Sequence, residues 1–286
     1  MVSAREDVFV TVGELRELIA SGSPVTVLDV RWSLAEPDGE QAYLAGHLPG
    51  AVYVSLDDEL SDHGIAGRGR HPLPTGADLQ AAARRWGLRT GVPTVVYDDW
   101  NRAGSARAWW VLTTAGIDGV RILDGGLPAW TAAGEALQSG PVTPEPGDVD
   151  VVHDDLYHGA LRTLTAEQTH SGVDLLLDAR APERFRGEVE PVDPVAGHIP
   201  GAVNLPSTQL LSADGTLLPE ARLRALLSDR GVAADGADVG AYCGSGVTAA
   251  LAVAGLAAVG VDAALYPGSW SEWASNPDRP VATGEH

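Results

Sequence analysis

One cysteine, Cys243, stands among 286 residues, and 39 acidic side chains outnumber 19 basic ones. A lone thiol excludes an internal disulfide and any cysteine-rich zinc site. The shortage of basic residues leaves a formal net charge of −20. That argues against nucleic acid and anionic membranes as partners, since both recruit positive charge. Long apolar runs are missing too. No stretch reaches the roughly 18 residues of a membrane-spanning helix. "VTAALAVAGLAAV" (247–259) is short and alanine-rich, and reads as a buried core helix. The opening "MVSAREDVFVTV" has neither the basic nor the apolar stretch of a secretory signal, so the expected location is the cytoplasm. With 44% apolar residues the chain can bury a sizeable core and should be globular.

What is present is written twice. "VTVLDVRW" (25–32) returns as "DLLLDARA" (174–181), and "AGHLPGAVYV" (45–54) as "AGHIPGAVNL" (196–205). "TVVYDD" (94–99) matches "VGAYCG" (239–244), and "GIDGVRILDGGLPAW" (116–130) matches "GVDAALYPGSWSEW" (260–273). Each copy opens on a capping-box spacing, Thr11 with Glu14 and Thr165 with Gln168. Short, nearly continuous apolar strands such as "TVLDV" and "DVGAY" fit a parallel sheet covered on both faces. The expected fold is α/β: two tandem domains, each a small parallel sheet with helices on both faces. The expected boundaries are 1–138 and 158–286, joined by a Pro- and Gly-rich linker over 139–157.

Cys243 falls where a strand ends and a glycine-rich turn leads into a helix, the place where open α/β sheets bind ligands. Gly244 and Gly246 let successive amides point inward as an anion nest, and the helix N-terminus adds partial positive charge. Both favour thiolate over thiol. The amides of residues 244–248, including Val247 and Thr248, would then surround the sulfur, with the Ser245 and Thr248 hydroxyls as further donors.

The repeat acts as an internal control. Asp29 and Arg31 match Asp178 and Arg180, and His47 matches His198, so these pairs serve the fold. Asp98 takes the place of Cys243 in the first copy, so only the second copy holds a nucleophile. Arg184 and Arg186 have no partners in the first copy, which makes them candidate anchors for an anionic substrate. The competing reading for both is a solvated surface pair.

Taken together, "LDVRW", "LDARAPERFRG", "GHLPGA", "GHIPGA", "LDGGLPAW", "CGSGVTA" and "GSWSEW" resemble the tandem-domain rhodanese family of sulfurtransferases, over about residues 8–281. The resemblance implies an inactive first domain and an active second one. It further implies that Cys243 takes a sulfur from a small anionic donor, holds it as a persulfide and passes it on. Acceptors implied are cyanide, a small thiol or a thioredoxin-like protein; neither metal nor cofactor is implied.

By the same resemblance, Ser245 and Asp58 assist the cysteine, Arg184 binds the donor's carboxylate, and His71 lies at the cleft. "CGSGVT" carries no cation and looks like the loop of 3-mercaptopyruvate sulfurtransferases. Thiosulfate-preferring members place Arg or Lys there. A second carboxylate-binding arginine is implied within "GEVEPVDPVAGH", where Val192 and its neighbours stand instead, and Pro267 replaces an expected Asp. Two other readings share the fold: a binding or regulatory module, and a cysteine-dependent phosphatase. The latter needs an arginine six residues past the cysteine, where Ala249 stands.

Overall fold

In the first half of the chain, five short strands lie parallel in one sheet, in the order β1-β5-β4-β2-β3. They are β1 (Phe9–Val10), β2 (Thr26–Asp29), β3 (Val52–Tyr53), β4 (Thr94–Tyr97) and β5 (Val120–Leu123). The second half repeats the pattern with β6 (Leu175–Asp178), β7 (Val203–Asn204), β8 (Val239–Tyr242) and β9 (Ala263–Leu265), ordered β7-β6-β8-β9. Where the first sheet adds β1, the second has a single parallel bridge from Thr163 to Leu265. The computed structural model of the chain describes residues 4–232 and 237–285, with His170 and Ser171 described by backbone alone.

The central strands β4 and β8 are buried along their whole length. This is why they read as unbroken apolar runs rather than as alternating ones. Helices flank both sheets. Ala103–Thr114 follows β4 and Ala249–Ala257 follows β8, and nearly every residue of each is buried.

The paired residues of the repeat do serve the fold. Arg31 forks onto the Asp29 carboxylate at 2.9 and 2.6 Å and donates to Gly46 O at 2.9 Å. Arg180 treats Asp178 (2.6 Å) and Gly197 O (2.7 Å) in the same way. Tyr97 and Tyr242, each at the end of a central strand, accept the amides of Leu48 (3.0 Å) and Ile199 (3.1 Å). A buried ion pair contributes only when its remaining donors and lone pairs are satisfied. Here the carbonyl and the tyrosine do that, binding the strand ends to the Gly-His-x-Pro-Gly turns. His47 stacks on Tyr43 and His198 on Phe185, so both histidines are packing groups.

The capping box at Thr11 is complete, with hydrogen bonds in both directions to Glu14. Thr165 and Gln168 make the same reciprocal pair, ahead of a single turn over Gln168–Ser171.

The chain divides into two compact units along lines the repeat does not show. One contains Met1–Asp62, Leu73–Leu161 and Ser212–Leu217; the other contains His63–Pro72, Arg162–Leu211 and Leu218–His286. Residues 139–152 form no helix or strand and lie along the first unit, with Gly147 N–H on Arg84 O (2.8 Å) and Asp148 N–H on Leu88 O (3.0 Å). The exchange of short segments follows their hydrogen bonds. Arg70 N–H donates to Ser271 Oγ at 3.0 Å, and Leu217 N–H donates to Asp124 at 2.7 Å. Each segment therefore belongs with the unit that satisfies its backbone.

Candidate active site

β8 ends at Tyr242, which pairs with Asp178 of β6, and Cys243 is the next residue. Its side chain is buried, at 1% exposure. The turn to the helix Ala249–Ala257 is possible because Gly246 takes φ +77°, and a Cβ there would overlap the carbonyl oxygen of Pro267. Only glycine meets both conditions without strain.

The segment 266–271 clasps this turn from behind. Cys243 N–H donates to Ser269 Oγ (3.1 Å), whose hydroxyl donates to Tyr266 O (2.9 Å). Trp270 N–H donates to Cys243 O (3.0 Å) and Ser271 N–H to Gly244 O (2.9 Å). Ser269 holds φ +52° to do this. The turn's first two carbonyls are thus occupied. The amides of Gly244, Ser245, Val247 and Thr248 have no protein acceptor among the described residues. Four donors without a protein partner at the start of a helix are available to an anion.

The first unit shows what such a turn holds. Asp29 pairs with Tyr97, so Asp98 is the register counterpart of Cys243. Its carboxylate accepts from the amides of Trp100 (3.1 Å), Arg102 (3.2 Å) and Ser105 (3.0 Å), and from Ser105 Oγ (2.6 Å). Asp98 also pairs with the buried guanidinium of Arg102. A built-in anion fills the first nest.

In the second unit, Ser245 Oγ lies 2.8 Å from His71 Nδ1, and both side chains are buried. Two guanidinium groups approach Gly244: a Cβ there would lie 3.0 Å from Arg70 Nη2 and 3.4 Å from Arg184 Nη1. Arg184 is held by Glu190 (2.6 Å) and Asp193 (3.4 Å), and Arg70 by Asp193. Burial raises the Asp193 carboxyl above its ordinary value, against the pull of Arg70. Burial works the same way on Glu190 but is outweighed there. Hydrogen bonds from Arg184 and from the Asp193 amide hold Glu190 below its ordinary value.

Cys243, Gly244, Ser245, Gly246, Val247 and Thr248 are thus joined by His71 and Arg184. Arg186 is not brought to this cluster. It pairs at the surface with Glu188 (2.8 Å) and lines a groove with Asn204, Gln209 and Arg230. Two residues along a helical turn do not share a face, so Arg186 points away when Arg184 points toward Gly244. Asp58 belongs to the first unit, where it accepts from the Ser55 hydroxyl (2.8 Å) in the first turn of Leu56–Glu59.

Sequence reasoning missed Arg70, Ser269, Glu190 and Asp193. Arg70 precedes His71 directly and was open to notice; nothing in "EVEPVD" signals that its acidic residues are buried. Among the described residues, no three His, Cys, Asp or Glu side chains gather as a metal site, and no helix is long and apolar enough to cross a membrane.

The rhodanese-like domain matches the chain twice, over residues 11–133 and 161–276. A Mycobacterium tuberculosis protein named "Putative thiosulfate sulfurtransferase SseB" is 65% identical over 283 residues, covering 99% of both chains. The 3-mercaptopyruvate sulfurtransferase of Escherichia coli K12 is 36% identical over 266 residues, 90% of this chain and 92% of that one. The crystal structure of SseA from Escherichia coli, described as a 3-mercaptopyruvate sulfotransferase, superposes with a TM-score of 0.79 at 33% identity. It covers 92% of this chain and 98% of that one.

Proposed function

The chain belongs to the tandem-domain rhodanese family of sulfurtransferases, and we propose that Cys243 carries the transferred sulfur as a persulfide. The observation that supports this is the set of four amides, at Gly244, Ser245, Val247 and Thr248, that follow a buried cysteine and have no protein acceptor among the described residues. A thiolate and a persulfide anion both need such donors once they are out of water.

The reaction is two displacements at sulfur. The Cys243 thiolate attacks the outer sulfur of thiosulfate; the new S–S bond forms as the donor's S–S bond breaks, and sulfite leaves with the electron pair. With 3-mercaptopyruvate the C–S bond breaks instead. The departing enolate then takes a proton to become pyruvate. In the second step the acceptor (cyanide, a thiol or a thioredoxin-like protein) attacks the terminal sulfur and the Cys243 thiolate leaves. Two half-reactions with a covalent intermediate give ping-pong kinetics.

Ser245, oriented by His71 at 2.8 Å, supplies a hydroxyl to the sulfur or to the leaving group. Arg184 receives the anionic end of the donor. Asp58 assisting the cysteine, and a cytoplasmic location, are further proposals that rest on the resemblance and on the acidic, single-thiol composition.

The test is intact mass spectrometry after incubation with each donor. A gain of one sulfur atom on Cys243, absent in Cys243→Ser, is the expected result. Equal gain in the variant, or no gain with either donor in folded protein, overturns the reading.

A further inference from the structure

The first unit contains a cavity of about 620 Å³ lined by Ser33, Leu34, Ala35, Asp99 and Trp100, none of which sulfur transfer at Cys243 uses. We propose that this cavity binds a small organic cation with an apolar or methylated head, held against the Trp100 indole and the Asp99 carboxylate. The site is independent of the chemistry at Cys243.

Position is the first reason. In the order β1-β5-β4-β2-β3, the chain leaves β2 for β3 on one side and returns through β4 on the other. The loops that leave β2 and β4 therefore part at the carboxyl ends of those strands, and open α/β sheets bind ligands at such a point. Residues 33–35 follow β2, and residues 99–100 follow β4. The same point of the second sheet lies between β6 and β8, and Cys243 follows β8 there.

The second reason is that the walls are fixed while their side chains are left unpacked. The loop after β2 closes on itself: Ser33 and Glu36 exchange N–H to O bonds at 3.2 Å in each direction, with Leu34 at the tip. Trp100 N–H donates to the Asp98 carboxylate (3.1 Å), and Trp100 O accepts from Arg102 (2.6 Å). Asp98 and Arg102 are both buried. Arg102 holds φ +61°, a left-handed value that a residue with a side chain adopts only under constraint. On this backbone Trp100 is 63% exposed and Leu34 49%, while the other seven tryptophans of the chain are buried. A single exposed apolar residue is ordinary, but two at one cavity mark a contact site. The volume falls in the range of about 300–1,000 Å³ that small ligands occupy.

Charge decides the ligand class. The turn after β4 already gives three of its amides to the Asp98 carboxylate, so the anion chemistry of this copy is satisfied from within. Among the described residues lining the cavity Asp99 alone is charged, and it makes no ion pair. Loss of water raises the Asp99 carboxyl above its ordinary value, against the pull of Arg31, whose own fork is committed to Asp29. A cation in the cavity would give that carboxylate a partner. An indole face attracts a cation through its quadrupole, most strongly of the aromatic rings, and more so as water is excluded. Leu34 and Ala35 suit the apolar substituents around the charge. An anion would meet the carboxylate and the negative face of the indole, and gain from neither.

The experiment is titration of the isotope-labelled full chain with benzyltrimethylammonium, followed by NMR at the tryptophan indole N–H resonances. The Trp100 resonance is assigned by its absence in Trp100→Phe, and benzenesulfonate serves as the charge-reversed probe. Calorimetry gives the affinity for wild type, Trp100→Ala, Trp100→Phe and Asp99→Asn. The cation should shift the Trp100 resonance saturably, and benzenesulfonate should not. Trp100→Ala should weaken binding about 3- to 30-fold, with Trp100→Phe between it and wild type. Asp99→Asn should weaken it about 2- to 5-fold. Both positions are exposed, so melting temperature and sulfur transfer should match wild type in each variant. No shift of the Trp100 resonance at millimolar cation, an equal shift with benzenesulfonate, or undiminished affinity in Trp100→Ala overturns the proposal.

Discussion

Asp98 and Cys243 occupy the same point in two copies of one sheet. Each is the first residue after a central strand whose last tyrosine pairs with an aspartate, Asp29 or Asp178. Each opens a turn whose amides gather in front of a buried helix. In the first copy the turn closes on the residue's own carboxylate; in the second the amides of Gly244, Ser245, Val247 and Thr248 have no acceptor among the described residues. Under the proposed function, the division into a supporting and a reacting half comes down to the side chain at this one point.

Asp98→Ala should therefore lower the melting temperature without changing sulfur transfer. It strands three amides, one hydroxyl and the buried Arg102 guanidinium. Loss of one partner of a buried ion pair costs about 3–5 kcal/mol. A variant as stable as wild type would show that the carboxylate is not what fills the first nest.

Gly246→Ala should reduce both stability and transfer. Alanine pays about 1 kcal/mol or more for a left-handed backbone, and its Cβ meets the Pro267 carbonyl. Relief of that contact moves the amides around Cys243. Retention of full activity would mean the turn tolerates the displacement, and the nest would lose its claim to be preorganised.

Ser269→Ala should destabilise the protein by about 1–3 kcal/mol, because it leaves the buried Cys243 amide without an acceptor. It should also lower kcat, since that amide's bond anchors the turn. Ser245→Ala should lower kcat about 10-fold or more with little change in donor KM, because under the proposed function its hydroxyl serves the sulfur or the leaving group rather than the donor's anionic end. A change confined to KM would move Ser245 from catalysis to binding.

Acid should weaken the arginine cluster through Glu190. Its folded value lies below its ordinary 4.5, so the native state binds fewer protons than the unfolded chain. The stabilisation is present above the unfolded value and is lost as pH falls through the folded one. Melting temperatures of Glu190→Gln should therefore fall less steeply than those of wild type below about pH 4.5. Parallel curves would remove Glu190 from the account.

The fold was legible because its signals are local. Apolar runs named the buried parallel strands, doubled motifs named the two copies, and Thr11 with Glu14 named a capping box. Cys243 with its glycines was legible for the same reason, since strand, turn and helix are consecutive. Arg70 was not, because residues 63–72 have no periodicity and their membership of the second unit is decided by hydrogen bonds to Ser271 and Ser245. Arg186 was over-read because a helical turn separates residues two apart, which a pair of arginines in a string of letters does not display. Glu190 and Asp193 drew no reading from the sequence, because their burial and their guanidinium partners come from residues distant along the chain or from the fold of the loop.

The most direct measurement is a crystal structure of the enzyme after reaction with donor and before acceptor is added. The account predicts a second sulfur bonded to Cys243 Sγ, within hydrogen-bond reach of the amides of Gly244, Ser245, Val247 and Thr248. A terminal sulfur lying outside that ring, with those amides bonded elsewhere, would contradict it.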